Sequence, residues 1–77
     1  MQSNGVAALD PGQRVRYWRE LKGIAQQDLA ARAKMVASKL CRIESGDTKA
    51  RAADIERIAK ALGLTMPEFY GDEARAS

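Results

Sequence analysis

The chain is 77 residues long and 45% hydrophobic, with a formal charge of +3 and a sequence pI of about 9.4. That length holds one small domain. One cysteine and no histidine exclude an internal disulfide and a structural zinc site. The N-terminus lacks a basic region followed by a long apolar run, and no later segment is long enough to cross a bilayer, so we expect a cytoplasmic protein.

The positive charge is concentrated in the first two thirds of the chain. Residues 14 to 51 hold ten Lys or Arg and four Asp or Glu, a local balance of +6, whereas residues 52 to 77 have a balance of −2. This distribution is consistent with binding to a polyanion such as a nucleic acid. Solvated Lys and Arg surfaces are common, however, so the charge distribution alone is only a weak indication of nucleic-acid binding.

The first predicted helix begins at Asp10. This residue precedes Pro11 and stands three residues before Gln13, which is a capping-box arrangement, and Gly23 marks the end of the helix. The apolar residues follow at spacings of three and are predicted to lie along the core side: Val15, Trp18, Leu21 and Ile24.

Glycines also mark the ends of the later helices, at Gly46, Gly63 and Gly71. Thr65 and Glu68 form a second capping-box pattern before the last helix. The fourth and fifth helices have apolar residues at helical spacing: Ile55, Ile58, Ala59, Leu62, Met66, Phe69 and Tyr70. No segment alternates with period two. The sequence therefore predicts an all-α bundle of five short helices.

Two short amphipathic segments lie between Gly23 and Gly46. They read "QQDLAARA" and "ASKLCRIE", and only "KMV" joins them, which forces two helices to cross at a steep angle. Ala30 supplies the small residue where the helices meet. The apolar positions on both sides of the turn are Leu29, Ala33, Met35, Leu40 and Ile43. This arrangement predicts a helix-turn-helix.

Three stretches of the chain are similar to the lambda and Cro-type helix-turn-helix family of phage and bacterial repressors. They are "RVRYWRELKGIAQQDLAARA", "LCRIESG" and "IERIAKALGLTMPEFY", and the resemblance covers about residues 12 to 70. It implies a five-helix lambda repressor-like DNA-binding domain, which we place at residues 10–71. We expect residues 1–9 to form a flexible arm and residues 72–77 a disordered tail. Such domains usually dimerise and place the third helix in the major groove of DNA.

The third helix has a predicted base-reading side. At about 100° per residue, three apolar side chains cluster within about 60° of one another, and these are Val36, Leu40 and Ile43. Ser38 and Arg42 point the opposite way, with Cys41 beside them and Ala37 on the flank. These four residues are the predicted base readers. Arg42 is the leading base reader, because its planar fork can donate to both major-groove acceptors of guanine. The alternative is an exposed helical Arg that covers its neighbours or pairs with an acid.

Other residues are predicted to contact the DNA phosphates. Lys39 lies on the flank of the third helix, where it is better placed for phosphate than for base edges. By resemblance, Gln26 would contact a phosphate at the start of the second helix. The resemblance also assigns backbone contacts to the loop after the third helix, at Thr48, Lys49 and Arg51. Asp47 favours the alternative of a plain solvated loop, because it repels phosphate.

The resemblance also implies that Arg19 and Glu44 form a buried structural ion pair between the first helix and the end of the third. The chain departs from the family pattern at Lys34, where the family usually carries Gly for a left-handed turn. It departs again where the family carries Ser or Thr as helix caps, at Ala25, Val36 and Arg51.

No residue pattern supports catalysis, a metal site or a cofactor. The chain has no His, no paired carboxylate motif, no Gly-rich phosphate loop and no nucleophile with an evident base, so we expect a protein that is not an enzyme. Cys41 could act as a redox switch on the base-reading side, or it could be a small residue tolerated there.

The predicted function is therefore a sequence-specific transcriptional regulator, a homodimeric repressor that binds double-stranded DNA at an inverted repeat. The alternative is a protein-interaction module, such as the antitoxin of a toxin and antitoxin pair, that binds DNA for autoregulation. Apolar residues near the C-terminus are candidates for the dimer surface: Leu64, Met66, Phe69 and Tyr70. The alternative for Phe69 is that it completes the core.

Overall fold

Five α-helices make up the described part of the chain. The computed structural model describes residues 9–71, and the predicted tail (72–77) and all but Leu9 of the predicted arm lie outside the described residues. The helices are α1 (Pro11–Leu21), α2 (Gln26–Arg32), α3 (Ala37–Ser45), α4 (Ala52–Ala61) and α5 (Met66–Tyr70). Residues 9–71 contain no strand. The all-α prediction with five helices is confirmed.

Side-chain caps begin the first and last helices. The Asp10 carboxylate accepts a hydrogen bond from the backbone N–H of Gln13 over 2.9 Å, and the Gln13 side chain accepts one from the Asp10 N–H. Thr65 and Glu68 form the same reciprocal arrangement at α5. Both predicted capping boxes are confirmed. Each satisfies two backbone donors that a helix start would otherwise leave exposed to water.

All five helices contribute to one core. Its buried apolar side chains are Val15, Leu29, Ala30, Ala33, Leu40, Ile43, Ile55, Ile58, Ala59, Leu62 and Phe69. Phe69 is fully buried, so of its two predicted roles the structure supports a place in the core and not one in a dimer surface. Tyr70, Met66 and Leu64 are only half-buried and pack against the edge of the core.

α1 and α3 approach each other closely at Gly12. A Cβ atom on this residue would overlap the carbonyl oxygen of Ile43. Any side chain at position 12 would therefore push the first helix away from the last turns of α3. This glycine sets the distance between the two helices.

Two apolar residues predicted to face the core are exposed. Leu21 is 62% exposed and Val36 is 66% exposed. A repeat of three residues falls about 60° short of a full turn at each step, so Leu21 lies about 120° around α1 from Val15. Val36 has extended backbone angles because it is the N-cap of α3, so helical periodicity does not place its side chain.

The turn between α2 and α3 has a left-handed residue. Lys34 has φ of 59°, and it is the only residue other than glycine with positive φ within the described range 9–71. The expectation of a left-handed backbone at this position is confirmed. The N-caps of the three middle helices make no side-chain capping bond, as predicted: Ala25, Val36 and Arg51.

Candidate nucleic-acid interface

α3 has one buried side and one exposed side. Leu40 and Ile43 are buried in the core, whereas Ser38, Cys41 and Arg42 are exposed. Residues three and four apart share one face of a helix, so the buried pair fixes the direction in which the polar residues point. The three exposed side chains form a continuous strip along α3, which we call the reading face.

Ala37 lies outside the reading face. Its methyl group is half-buried and packs against the core. The structure therefore brings Ser38, Cys41 and Arg42 together but turns Ala37 towards the inside of the domain. The sequence placed it on the flank of α3, and packing of the first turn of the helix decides which way it faces.

The end of α3 is tied to the loop that follows it. The carbonyl oxygen of Arg42 accepts hydrogen bonds from the N–H groups of Gly46 at 3.0 Å and Thr48 at 3.2 Å. Gly46 has φ of 90°, which is the left-handed conformation that ends many helices. The start of this loop is therefore fixed by backbone hydrogen bonds to Arg42, the residue predicted to be the leading base reader.

A part-buried ion pair lies behind the start of α2. The Arg19 guanidinium donates to both carboxylate oxygens of Glu44, at 2.8 and 3.0 Å, and also to the carbonyl oxygen of Ile24 at 3.0 Å. The Arg19 side chain is 15% exposed and the Glu44 side chain 4%. The hydrogen bond to Glu44 raises the pKa of Arg19, although burial opposes the shift. The pair joins α1 to α3 with the bidentate geometry that Arg favours.

Gln26 takes part in the same network. Its side-chain amide donates to the Glu44 carboxylate over 3.2 Å. A side-chain amide that donates an N–H to Glu44 is held in one orientation, with its oxygen directed elsewhere. Gln26 is half-buried at the first position of α2, so the contact positions it beside the uncapped start of that helix.

The predicted phosphate-binding residues fall into two groups. Thr48, Lys49 and Arg51 are exposed and lie between α3 and α4. Lys39 is instead paired, because its ammonium lies 3.5 Å from the carboxylate of Asp54 in α4. The prediction of a phosphate contact at Lys39 did not include this partner.

A sequence model of the helix-turn-helix domain family matches residues 12–69. The chain belongs to this helix-turn-helix family. No curated protein and no solved structure matches the chain significantly. The family membership supports DNA binding as the function of the domain.

The helix-turn-helix itself consists of α2, the turn at 33–36 and α3. Its second helix is the one with the reading face, and helices in this position enter the major groove in helix-turn-helix proteins. The packing of Leu29 and Ala30 from α2 with Leu40 from α3 holds the two helices at a fixed angle. The domain therefore presents the reading face on a rigid support.

Sequence reasoning missed Asp54, which is a second buried acid in addition to Glu44 in this helix-turn-helix domain. Its residue is 5% exposed, and its carboxylate contacts Lys39, Arg57 and the backbone N–H of Arg51. An available signal was its place as the third residue of α4, where an acidic side chain can accept from the N-cap N–H. The long-range contact with Lys39 has no local signal.

Within residues 9–71, no three His, Cys, Asp or Glu side chains are grouped so that they could hold a metal ion. Cys41 is a free, exposed thiol on the reading face. None of the helices described between these residues has the length and apolar character needed to cross a membrane.

Proposed function

We infer that the chain is a sequence-specific transcriptional regulator of the lambda and Cro type, which acts in the cytoplasm as a homodimeric repressor without catalytic activity. One observation carries this proposal above the others. α3 packs into the core through Leu40 and Ile43 and leaves Ser38, Cys41 and Arg42 exposed along its other side. A rigidly held helix with short polar residues and an Arg on its free side suits the major groove.

Arg42 is the proposed base reader. Its guanidinium can donate two parallel hydrogen bonds to the O6 and N7 atoms of guanine, which no other base pair offers in that pattern. Ser38, one turn earlier, is short enough to approach a base edge or a phosphate. Cys41 lies between them and supplies a small, weakly polar surface. We propose that these three residues determine the preferred DNA sequence.

The residues around the reading face supply binding to the sugar–phosphate backbone. Lys49 and Arg51 are exposed cations in the loop after α3, and Thr48 adds a hydroxyl donor. Gln26, oriented by Glu44, stands where the backbone N–H groups of α2 are not capped by a side chain. Contacts of this kind fix the position of the protein on DNA and do not read the sequence.

A two-fold symmetric dimer would present two copies of the proposed DNA-binding site. Two copies of α3 would then lie about 34 Å apart and enter successive major grooves on one side of the duplex. The DNA site of such a dimer is an inverted repeat, because the symmetry of the protein is matched by the symmetry of the site. A dimer bound across a promoter would repress by occlusion.

The test is a selection of bound duplexes from a random pool at about 150 mM salt, where sequence-independent phosphate binding is largely suppressed. We expect an enriched inverted repeat with half-sites about one helical turn apart. The same pool at about 50 mM salt is the control, and its enrichment should be weaker because phosphate contacts then dominate. Absence of any enriched sequence at the higher salt would contradict base reading by α3.

That outcome would favour the alternative, a module that neutralises a protein partner such as a toxin. The observation relevant to this alternative is the exposure of two large apolar side chains, Leu21 at the end of α1 and Val36 at the start of α3. A test that separates the two functions is the effect of Arg42→Ala. A repressor should lose its biological activity with this change, whereas an antitoxin should lose only its DNA binding.

A further inference from the structure

Asp54 is buried between two cations that the domain could otherwise offer to DNA. Its side chain is 8% exposed, whereas those of Lys39 and Arg57 are about half exposed. Both carboxylate oxygens lie 3.5 Å from the Lys39 ammonium. Oδ1 also accepts from the Arg57 guanidinium at 3.4 Å, and Oδ2 from the backbone N–H of Arg51 at 3.3 Å. This buried carboxylate therefore accepts hydrogen bonds from three donors.

The pairing changes the charge that Lys39 brings to α3. Lys39 follows Ser38 directly, so it lies at the border of the reading face. A cation that neutralises a phosphate releases a counterion, and this release produces most of the sequence-independent affinity for DNA. Lys39 cannot neutralise a phosphate and Asp54 fully at the same time, and leaving Asp54 would remove one of the donors to a buried carboxylate.

We propose that Asp54 is a positioning residue that holds Lys39 away from the DNA backbone and thereby limits sequence-independent binding. The proposal rests on the DNA-binding function proposed above and revises the role of one residue within it. Lys49, Arg51 and Thr48 then supply the phosphate contacts, whereas Lys39 serves mainly to join α3 to the start of α4.

The first experiment measures how the affinity for a random-sequence duplex of about 30 base pairs depends on salt. Lys39→Ala should leave the slope of log affinity against log salt nearly unchanged, because Lys39 releases no counterion. Lys49→Ala should reduce the slope by about 0.9, the value expected when the protein neutralises one phosphate fewer. A reduction by Lys39→Ala as large as that by Lys49→Ala would overturn the proposal.

The second experiment removes the carboxylate that pairs with Lys39 and measures the affinity for the same random duplex. Asp54→Asn should raise the affinity for the random duplex about fivefold at low salt, as expected from a partly exposed ion pair, and should steepen the slope by about 0.9. Adding Lys39→Ala to Asp54→Asn should abolish this gain. If the gain persists in the double variant, Arg57 is its source and the role assigned to Lys39 is wrong.

Two controls complete the design. Glu20→Gln removes one negative charge from the exposed pair with Arg16 on α1, so it changes the net charge by the same amount as Asp54→Asn. Because it does not release Lys39, its effect on affinity should be smaller than that of Asp54→Asn. Circular dichroism verifies the fold of each variant. If Asp54→Asn fails to fold, the comparison of Lys39→Ala with Lys49→Ala still decides the question.

The outcomes separate this proposal from the proposed function. A wild-type protein that binds no duplex would contradict both. A wild-type protein that prefers its selected site, together with a Lys39→Ala variant whose salt slope falls by about 0.9, would leave the regulator intact and refute only the role of Asp54.

Discussion

The indole Nε1–H of Trp18 in α1 donates a hydrogen bond to the carbonyl oxygen of Phe69 in α5 over 2.9 Å. α5 has only five residues, and a helix this short is not stable by itself in water. Its place in the domain therefore depends on tertiary contacts. The Phe69 ring anchors it in the core, and the hydrogen bond from Trp18 ties its backbone to α1.

Trp18→Phe should lower the free energy of unfolding by about 1 to 3 kcal/mol, since the Phe69 carbonyl loses its donor and part of the apolar contact is removed. Urea unfolding followed by circular dichroism measures this change. Tyr17→Phe is the matched control, because Tyr17 is exposed and contacts Trp18 only edge to face. Equal losses from the two changes would show that the hydrogen bond is not what stabilises α5.

Arg19→Met should cost about 3 to 5 kcal/mol, because it leaves the more buried carboxylate of Glu44 without its main partner. Glu44→Leu in the same background should recover part of this loss, since it removes the uncompensated charge. The coupling energy from the double-mutant cycle measures the pair. Additive effects of the two substitutions would mean that the ion pair contributes no coupling.

The raised pKa of Arg19 determines the pH range over which its ion pair with Glu44 stabilises the fold. A basic group with a raised pKa stabilises fully below its unfolded pKa and loses that contribution only as pH rises through its folded pKa. We therefore expect the difference between wild type and Arg19→Met to stay constant from neutral to moderately alkaline pH. Urea unfolding at several pH values tests this, and a decline within that range would contradict it.

Lys34→Gly should raise the free energy of unfolding by about 1 kcal/mol, because glycine adopts the left-handed backbone of the turn without a Cβ clash. In a domain of this size that corresponds to a rise in Tm of about 4 to 8 °C. Lys60→Gly is the control, since this residue lies exposed inside α4, where glycine should cost about 1 kcal/mol. A lower Tm for Lys34→Gly would mean that the Lys34 side chain contributes more than the strain costs.

Arg42→Ala should weaken binding to the selected DNA site by about 1 to 3 kcal/mol and relax the preference at one base position. Lys49→Ala should weaken binding to every sequence alike and reduce its salt dependence. Titrations of each variant with the selected site and with a random duplex distinguish these effects. Arg42 is not a base reader if Arg42→Ala weakens both duplexes equally.

Local signals predicted the helix boundaries well. The capping pairs Asp10 with Gln13 and Thr65 with Glu68 are short-range patterns, and the glycines at helix ends act through their own backbone angles. Leu21 and Val36 are exposed although their spacing predicted the core side. A spacing of three residues is less than a full helical turn, and Val36 precedes the first turn of α3 as its N-cap. Local sequence cannot reveal which residues meet across the fold.

The contact between Asp54 and Lys39 illustrates the difference between local sequence patterns and contacts across the fold. The two residues are fifteen positions apart and belong to different helices, so only the packed domain brings their charges together. The pair formed by Arg19 and Glu44 was expected only through the family resemblance. For the candidate site, the sequence thus indicates which side of α3 is exposed, whereas the partners of each side chain come from the structure.

The close approach of Gly12 to Ile43 has a consequence for how the proposed DNA preference of this domain could be changed. Glycine at position 12 and the buried residues of α3 fix the backbone of that helix from behind. Ser38, Cys41 and Arg42 take no part in that packing, so a library that varies only these three positions should retain the fold in most of its members. The scaffold can thus be kept constant while its target is redesigned.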